Sequence, residues 1–260
     1  MARVSVEYND NVARVTLTRG DKMNALDDAM VQAIISAGQE VASSDARAVV
    51  LAGEGKSFCA GLDVASFAKM GQVDPEEWLM TRSHGDTNVM QEISMVWRRV
   101  PVPVIAVLQG AVYGGGLQLA LGADVRIAAP DAKFSVMEMK WGLVPDLGGM
   151  VLLPSLVRSD VLRLMTYTAR PVSAAQAETW GLVTSVAEDA MGDALTLASE
   201  IAGKSPSAIR AAKRLIDVAE TEDRAAVLLA ESAEQVRLIG KADQMEVIAA
   251  QMQGRPAVFK

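Results

Sequence analysis

The sequence predicts an α/β architecture with parallel crossovers, followed by a helical C-terminal segment. Three observations carry that expectation. Short apolar runs at Ala48 to Ala52, Val104 to Leu108 and Val125 to Ala128 read as buried strands. The stretches between them hold apolar residues at helical spacing, as in Met30, Ile34, Ile35 and Val41, and in Val89, Ile93, Val96 and Val100. From about Ala190 the chain is rich in Ala, Leu, Glu, Lys and Arg, with Pro206 as punctuation. Strands that alternate with helices pair in parallel, because the crossover must carry a helix.

The elements follow in order. Val4, Val6 and Tyr8 alternate with polar residues, Asn9-Asp10-Asn11 is a turn, and Val15 and Leu17 resume the alternation: a β-hairpin. Asp27 and Asp28 favour a helix N-terminus. Pro101 and Pro103 break the chain before the Val104 strand. Ser173-Ala174-Ala175-Gln176 has the form of a capping box, and Gly181 suits the position after that helix. Gly71 to Asn88 is the most loop-like internal stretch. No repeat of 20–50 residues and no Ser/Gly/Pro linker is visible. We therefore expect a core over 1–190 and a helical segment over 191–260, without an independent second domain.

Composition narrows the function classes. The 260 residues carry a net charge of −7, and no basic run exceeds Arg98-Arg99, which opposes nucleic-acid binding. Cys59 is the only cysteine, so no intrachain disulfide can form, in keeping with a reducing cytoplasm. The start runs straight into a strand pattern with no signal-peptide core. The longest apolar runs fall far short of the roughly 20 residues a membrane helix needs, so a soluble protein is expected.

Several motifs mislead. Gly53-Glu54-Gly55-Lys56-Ser57 resembles the end of a phosphate-binding loop, but the glycine that spacing needs is Val50. Gly114-Gly115-Gly116 is no dinucleotide fingerprint, since Leu119 stands where the last glycine belongs. His84, the sole histidine, reads as a solvated loop residue, which leaves no basis for a serine triad or a histidine metal site. Cys59 has no basic neighbour to activate it and reads as a small buried residue. Trp78, Trp97, Met80 and Met90 could wall a tunnel, but packing is the simpler reading.

Three segments carry chemistry: Ser57-Phe58-Cys59-Ala60-Gly61-Leu62-Asp63; Gly110 through Ala120; and Phe134-Ser135-Val136-Met137-Glu138 through Gly142-Leu143-Val144-Pro145-Asp146-Leu147-Gly148-Gly149. In the second, three glycines follow a strand and open a helical run. Such glycines let a backbone approach a ligand, and a helix's first N–H groups are preset for negative charge. A tight packing turn would explain the same glycines.

Together the segments resemble the crotonase superfamily, the enoyl-CoA hydratase/isomerase family. The likeness starts at Arg19-Gly20-Asp21-Lys22-Met23-Asn24-Ala25-Leu26 and continues past Ser205-Pro206. It implies a crotonase-like spiral of ββα turns capped by C-terminal helices, assembled as a trimer or a dimer of trimers. It implies an acyl-CoA thioester as substrate, with coenzyme A part of that substrate and no separate cofactor or metal. Coenzyme A would lie along Lys22, Ala25, Ala60, Gly61, Asp63 and Gly114. The thioester oxygen would accept bonds from Leu62 N–H and Gly115 N–H. The C-terminal helices would mediate assembly and cover the site, with Phe259-Lys260 reaching toward a neighbouring subunit's ligand.

One departure bears on the reaction. Family hydratases hold water between two glutamates; one of these positions is Gln118 here, and the other is Glu138. An amide orients water but does not take its proton, and a missing acid/base group costs about 10²- to 10⁴-fold. Moving a double bond needs one carboxylate, so an isomerase using Glu138, Asp146 or both is favoured. Asp146 has an alternative reading as a helix N-cap, since Leu147 to Leu153 reads helical. A 2-enoyl-CoA hydratase in which Asp146 replaces the absent glutamate is the competing enzyme. A non-catalytic acyl-CoA-binding homologue is the competitor from another class.

Overall fold

A computed structural model describes residues 2–66 and 74–259. The N-terminal hairpin pairs β1 (Val4–Asn9) with β2 (Val12–Leu17). Its turn is of the type whose two central residues are left-handed, with Asp10 at φ 47° and Asn11 at φ 65°. Helix α1 (Asp28–Ala42) begins where the Asp27 side chain accepts from Met30 N–H, and it buries Met30, Ile34, Ile35 and Val41. The chain then enters β3 (Ala48–Gly53), which is buried on both faces and hence continuously apolar.

Helices α2 (Pro75–Met80) and α3 (Val89–Arg99) lead to β4 (Val104–Leu108). The loop expected over Gly71 to Asn88 thus contains a short helix, and its residues 71–73 lie outside the described part. Asp74 caps the Glu76 N–H and Pro75 occupies the first turn, but α2 buries nothing, so no apolar period marks it. Next come β5 (Ala111–Tyr113), α4 (Gly115–Leu121), β6 (Val125–Ala128), β7 (Lys133–Ser135) and a 3₁₀ turn, Glu138–Trp141. Helices α5 (Gly149–Leu156) and α6 (Ser159–Thr168) follow, then β8 (Val172–Ser173), α7 (Ala174–Thr179) and β9 (Ser185–Val186). Ser173 accepts from Gln176 N–H, which is the N-cap half of the expected capping box.

Two sheets organise the spiral. Strands β1-β2-β3-β4-β6-β9 form one, with every pair after the hairpin parallel; β5-β7-β8 form the other. The chain steps from the first sheet to the second between β4 and β5 and again between β6 and β7, then turns back through helix. Single bridges at Leu26↔Leu62 and Cys59↔Val112 extend the same arrangement toward the earlier turns. This repeated strand–strand–helix course is the ββα spiral that the sequence implied.

One face of the six-stranded sheet packs on α1 and α3, around fully buried Met30, Ile34, Ile93 and Trp97. The other packs on α8 (Ala190–Ala202), whose Ala190, Ala194, Ala198 and Ala202 form a small-residue stripe against Val50, Ile105 and Ile127. Trp97 and Met90 are therefore core residues, Trp78 packs against the core, and Met80 is 65% exposed. Helices α9 (Pro206–Thr221), α10 (Arg224–Leu238) and α11 (Ala242–Gln253) complete the chain. No helix among the described residues is long and apolar enough to cross a membrane.

A buried cation ties α9 to the body. Lys213 Nζ donates to Asp124 at 2.8 Å, to Val102 O at 3.0 Å and to Trp97 O at 3.3 Å. Burial pushes its pKa down, and the Asp124 charge opposes that. Removing the ammonium leaves the Val102 and Trp97 carbonyls without this donor, and leaves Asp124 with Val104 N–H and the more distant Arg98. We expect Lys213→Met to lower unfolding free energy by about 3 kcal/mol, read from urea denaturation. An unchanged midpoint would contradict this role.

Candidate functional site

The site begins in the loop 19–26. Residues Gly20–Lys22 make a 3₁₀ turn that ends in two left-handed residues, Met23 and Asn24. Asn24 is fully buried. Its Nδ2 donates to Glu54 O at 3.0 Å and Ser57 O at 2.9 Å, and its Oδ1 accepts from Arg19 N–H at 2.9 Å. The Arg19 guanidinium donates to Ala25 O at 2.9 Å and pairs with Asp63 at 2.7 Å. These bonds latch the loop to the Ala60–Asp63 segment.

The latch sets an amide. Leu26 N–H donates to Gly61 O at 2.8 Å, and Asp63 N–H donates to Leu26 O at 2.9 Å. In a parallel bridge of this kind Leu62 lies between the two bonding neighbours. Its own N–H therefore points to the opposite side.

A second amide comes from the glycine run. Gly114 adopts φ 52°, ψ −121°, a conformation closed to residues with a side chain. A Cβ there would also stand 3.4 Å from Glu138 Oε1. Gly115 is the first residue of α4, so its N–H has no partner within the helix. Gly61, at φ 90°, lets the two segments touch: a Cβ there would lie 2.7 Å from Tyr113 O and 3.5 Å from Gly115 N.

Glu138 opens the 3₁₀ turn after β7 and is only 9% exposed. Its Oε1 accepts from Gln118 Nε2 at 2.6 Å, while its buried Oε2 has no hydrogen-bond partner among the described residues. Burial is the main influence raising its pKa, with Asp146 adding to it; its own and Met137's backbone N–H and the Gln118 amide pull the other way. Gln118 Oε1 accepts from Leu147 N–H at 2.8 Å and Gly149 N–H at 2.9 Å. Ser94 Oγ donates to Leu147 O at 2.6 Å, fixing that turn from behind. Burial also raises the pKa of Asp146.

Lys22, Ala25, Ala60, Gly61, Leu62, Asp63, Gly114, Gly115 and Glu138 line one cleft of about 460 Å³. Gln118 and Asp146 are not among the residues that line it. Asp146 is not an N-cap: α5 starts at Gly149, with Gly148 at φ 90° before it, because the Leu147 and Gly149 amides are already taken by Gln118. The cleft also has walls that the sequence did not single out: Tyr113, Met137, Lys140, Trp141 and Leu143. Their signal was proximity alone, Tyr113 beside Gly114 and Met137 beside Glu138. Cys59 is buried, donates to Asn24 O at 3.1 Å and has its pKa pushed up to about 12 by burial, which removes it as a nucleophile. No group of three acidic, His or Cys side chains among the described residues could hold a metal.

Comparison with known proteins gives one consistent result. The family model described as enoyl-CoA hydratase/isomerase matches residues 7–260. The Bacillus subtilis (strain 168) protein YngF, whose name carries the same hydratase/isomerase description, is 33% identical over 97% of this chain and 95% of its own length. Human mitochondrial Delta(3,5)-Delta(2,4)-dienoyl-CoA isomerase is 34% identical over 78% of this chain and 64% of that protein. The solved structure of an enoyl-CoA hydratase from Bacillus anthracis superposes with a TM-score of 0.88 at 29% identity, covering 99% of both chains.

The placement of Cys59 has a direct consequence. A thiol reagent such as DTNB at pH 8 should leave the native protein unmodified and titrate one thiol in denaturant. Stoichiometric reaction of the native protein would contradict the buried site.

Proposed function

The chain belongs to the enoyl-CoA hydratase/isomerase family, and from that premise we propose that it is an acyl-CoA enzyme that moves a double bond through a thioester enolate. The observation that carries this reading is Glu138, a buried carboxylate with one oxygen held and the other without a hydrogen-bond partner among the described residues. Its Oε2 takes a proton from C2 of a 3-enoyl thioester. Electrons shift onto the thioester oxygen, where Leu62 N–H and Gly115 N–H receive the charge. The dienolate collapses with the same proton returned to C4. No atom is gained or lost, so a single carboxylate suffices. Coenzyme A runs along Lys22, Ala25, Ala60, Gly61, Asp63 and Gly114 as part of the substrate.

A second reading has its own support. The charge of Asp146 raises the Glu138 pKa, so the two acids sit within electrostatic reach. Such a pair could handle the two protons of a water molecule, making the protein a 2-enoyl-CoA hydratase. Gln118 weighs against it, because water would lose the second glutamate that family hydratases use.

Assembly as a trimer or a dimer of trimers is part of the proposal. Its support is the C-terminal segment, where α10 buries no residue in the single chain and Leu228, Leu229, Val236 and Ile239 are exposed. In the single chain Phe259 lies on Arg47, whose guanidinium donates to its carbonyl at 3.1 Å.

Turnover of 3-enoyl-CoA and 2-enoyl-CoA separates the readings. We expect double-bond migration to exceed hydration, and Glu138→Gln to lower kcat/KM by about 10²- to 10⁴-fold. Hydration that is faster than migration and falls in Asp146→Asn would favour the second reading. The acid limb of kcat/KM should rise with pH around a midpoint above the ordinary glutamate value of 4.5, since burial disfavours the charged base. A midpoint at or below that value would count against Glu138.

A further inference from the structure

The Gln118 amide fits its surroundings in one orientation only. Its carbonyl meets two N–H donors, from Leu147 and Gly149, and its NH₂ meets a carboxylate oxygen of Glu138. Turned over, the NH₂ would face two donors and the carbonyl would face the carboxylate. Both lone pairs of Oε1 are used, so that atom has nothing left to offer a water molecule. Gly149 marks how tightly this is built: a Cβ there would lie 2.8 Å from Gln118 Oε1.

We propose that Gln118 is a positioning residue for Glu138, holding Oε1 by donation so that Oε2 alone remains to move the proton, and tying that carboxylate to the turn that carries Asp146. The inference rests on reading Glu138 as the base. A glutamate, which family hydratases carry at this position, would make a different contact here. One oxygen of a glutamate could accept both turn amides. Its other oxygen would then meet Glu138 Oε1 at hydrogen-bonding distance, and two carboxylates so close share a proton. The two acids would then titrate as a pair, with the Glu138 midpoint raised.

The charged groups around Glu138 are few. Asp146 acts on it from the Leu147 side, and α4 itself carries no charge. Lys140 follows on the same 3₁₀ turn, and Asp21, Lys22 and Asp63 line the shared cleft. Lys133, which begins the central strand β7, and Arg170, just before β8, are exposed. On α6, which packs on this turn, Asp160 is engaged by Arg158, and Arg163 by Ser159 and Tyr167, all at the surface. Among the described residues, Gln118 is therefore the one side chain bonded to the carboxylate.

The test is a ¹³C NMR titration of glutamate carboxyls in the full chain, with the Glu138 signal assigned by its loss in Glu138→Gln. It is run on wild type, Gln118→Glu and Gln118→Met, beside pH profiles of kcat/KM. We expect the Glu138 midpoint to rise by more than about one pH unit in both Gln118 variants, and the acid limb of kcat/KM to move with it. Thermal stability should fall more in Gln118→Met, which loses the turn contacts, than in Gln118→Glu, which keeps them. An unmoved Glu138 titration in Gln118→Glu would overturn the inference. Full turnover in Glu138→Gln would instead overturn the base assignment, and a shifted titration would still uphold the Gln118 clamp.

Discussion

The cleft depends on a contact that has no side chain in it. Gly61 lies against the Tyr113 carbonyl so closely that a methyl group would stand 2.7 Å from the oxygen. The two strands of chain that meet there are anchored independently. Ala60–Asp63 is held by the Leu26 bridge and by Arg19, while Tyr113–Gly115 is held by pairing with β7, where Gly114 N–H donates to Ser135 O at 2.9 Å. The orientation of the Leu62 and Gly115 amides is thus fixed by main chain. Donors placed in this way would need no reorganisation in the chemistry proposed for them, which is where electrostatic preorganisation has its value.

Two acids of the same cleft show how surroundings divide roles. Asp63 accepts from Ala65 N–H and pairs with Arg19, and these partners hold its pKa below the usual carboxylate range. It stays ionised and serves the loop. Glu138 has no cation bonded to it, and burial outweighs its hydrogen bonds, so its pKa is raised. Burial without a paired cation makes a carboxylate a stronger base than it is in water. The difference between the two lies in their neighbours, since the side chains differ by one methylene.

Much of this was legible in the sequence because local pattern and tertiary role coincide. The buried strands β3, β4 and β6 are unbroken apolar runs, and α1 and α3 carry their periodicity in plain view. Nine of the eleven site residues expected from the family likeness line one cavity, and Gln118 and Asp146 do not. What was hidden depends on contacts far apart in sequence. Asp146 reads as an N-cap because nothing local reveals that Gln118, 28 positions earlier, already satisfies the next amides. Asn24 and Arg19 stand inside a recognised motif, yet their work as a latch shows only once Glu54, Ser57 and Asp63 are brought beside them. Trp141 ends, and Leu143 follows, a 3₁₀ turn that has no apolar period to announce it.

The proposed chemistry requires two amides and one carboxylate oxygen to address the same thioester. A crystal structure with a bound, unreactive 3-enoyl-CoA analogue tests it most directly. We predict the thioester oxygen within about 3.2 Å of both Leu62 N and Gly115 N, with C2 facing Glu138 Oε2. A thioester oxygen bonded to only one of those nitrogens, or a C2 turned away from Glu138, would contradict it.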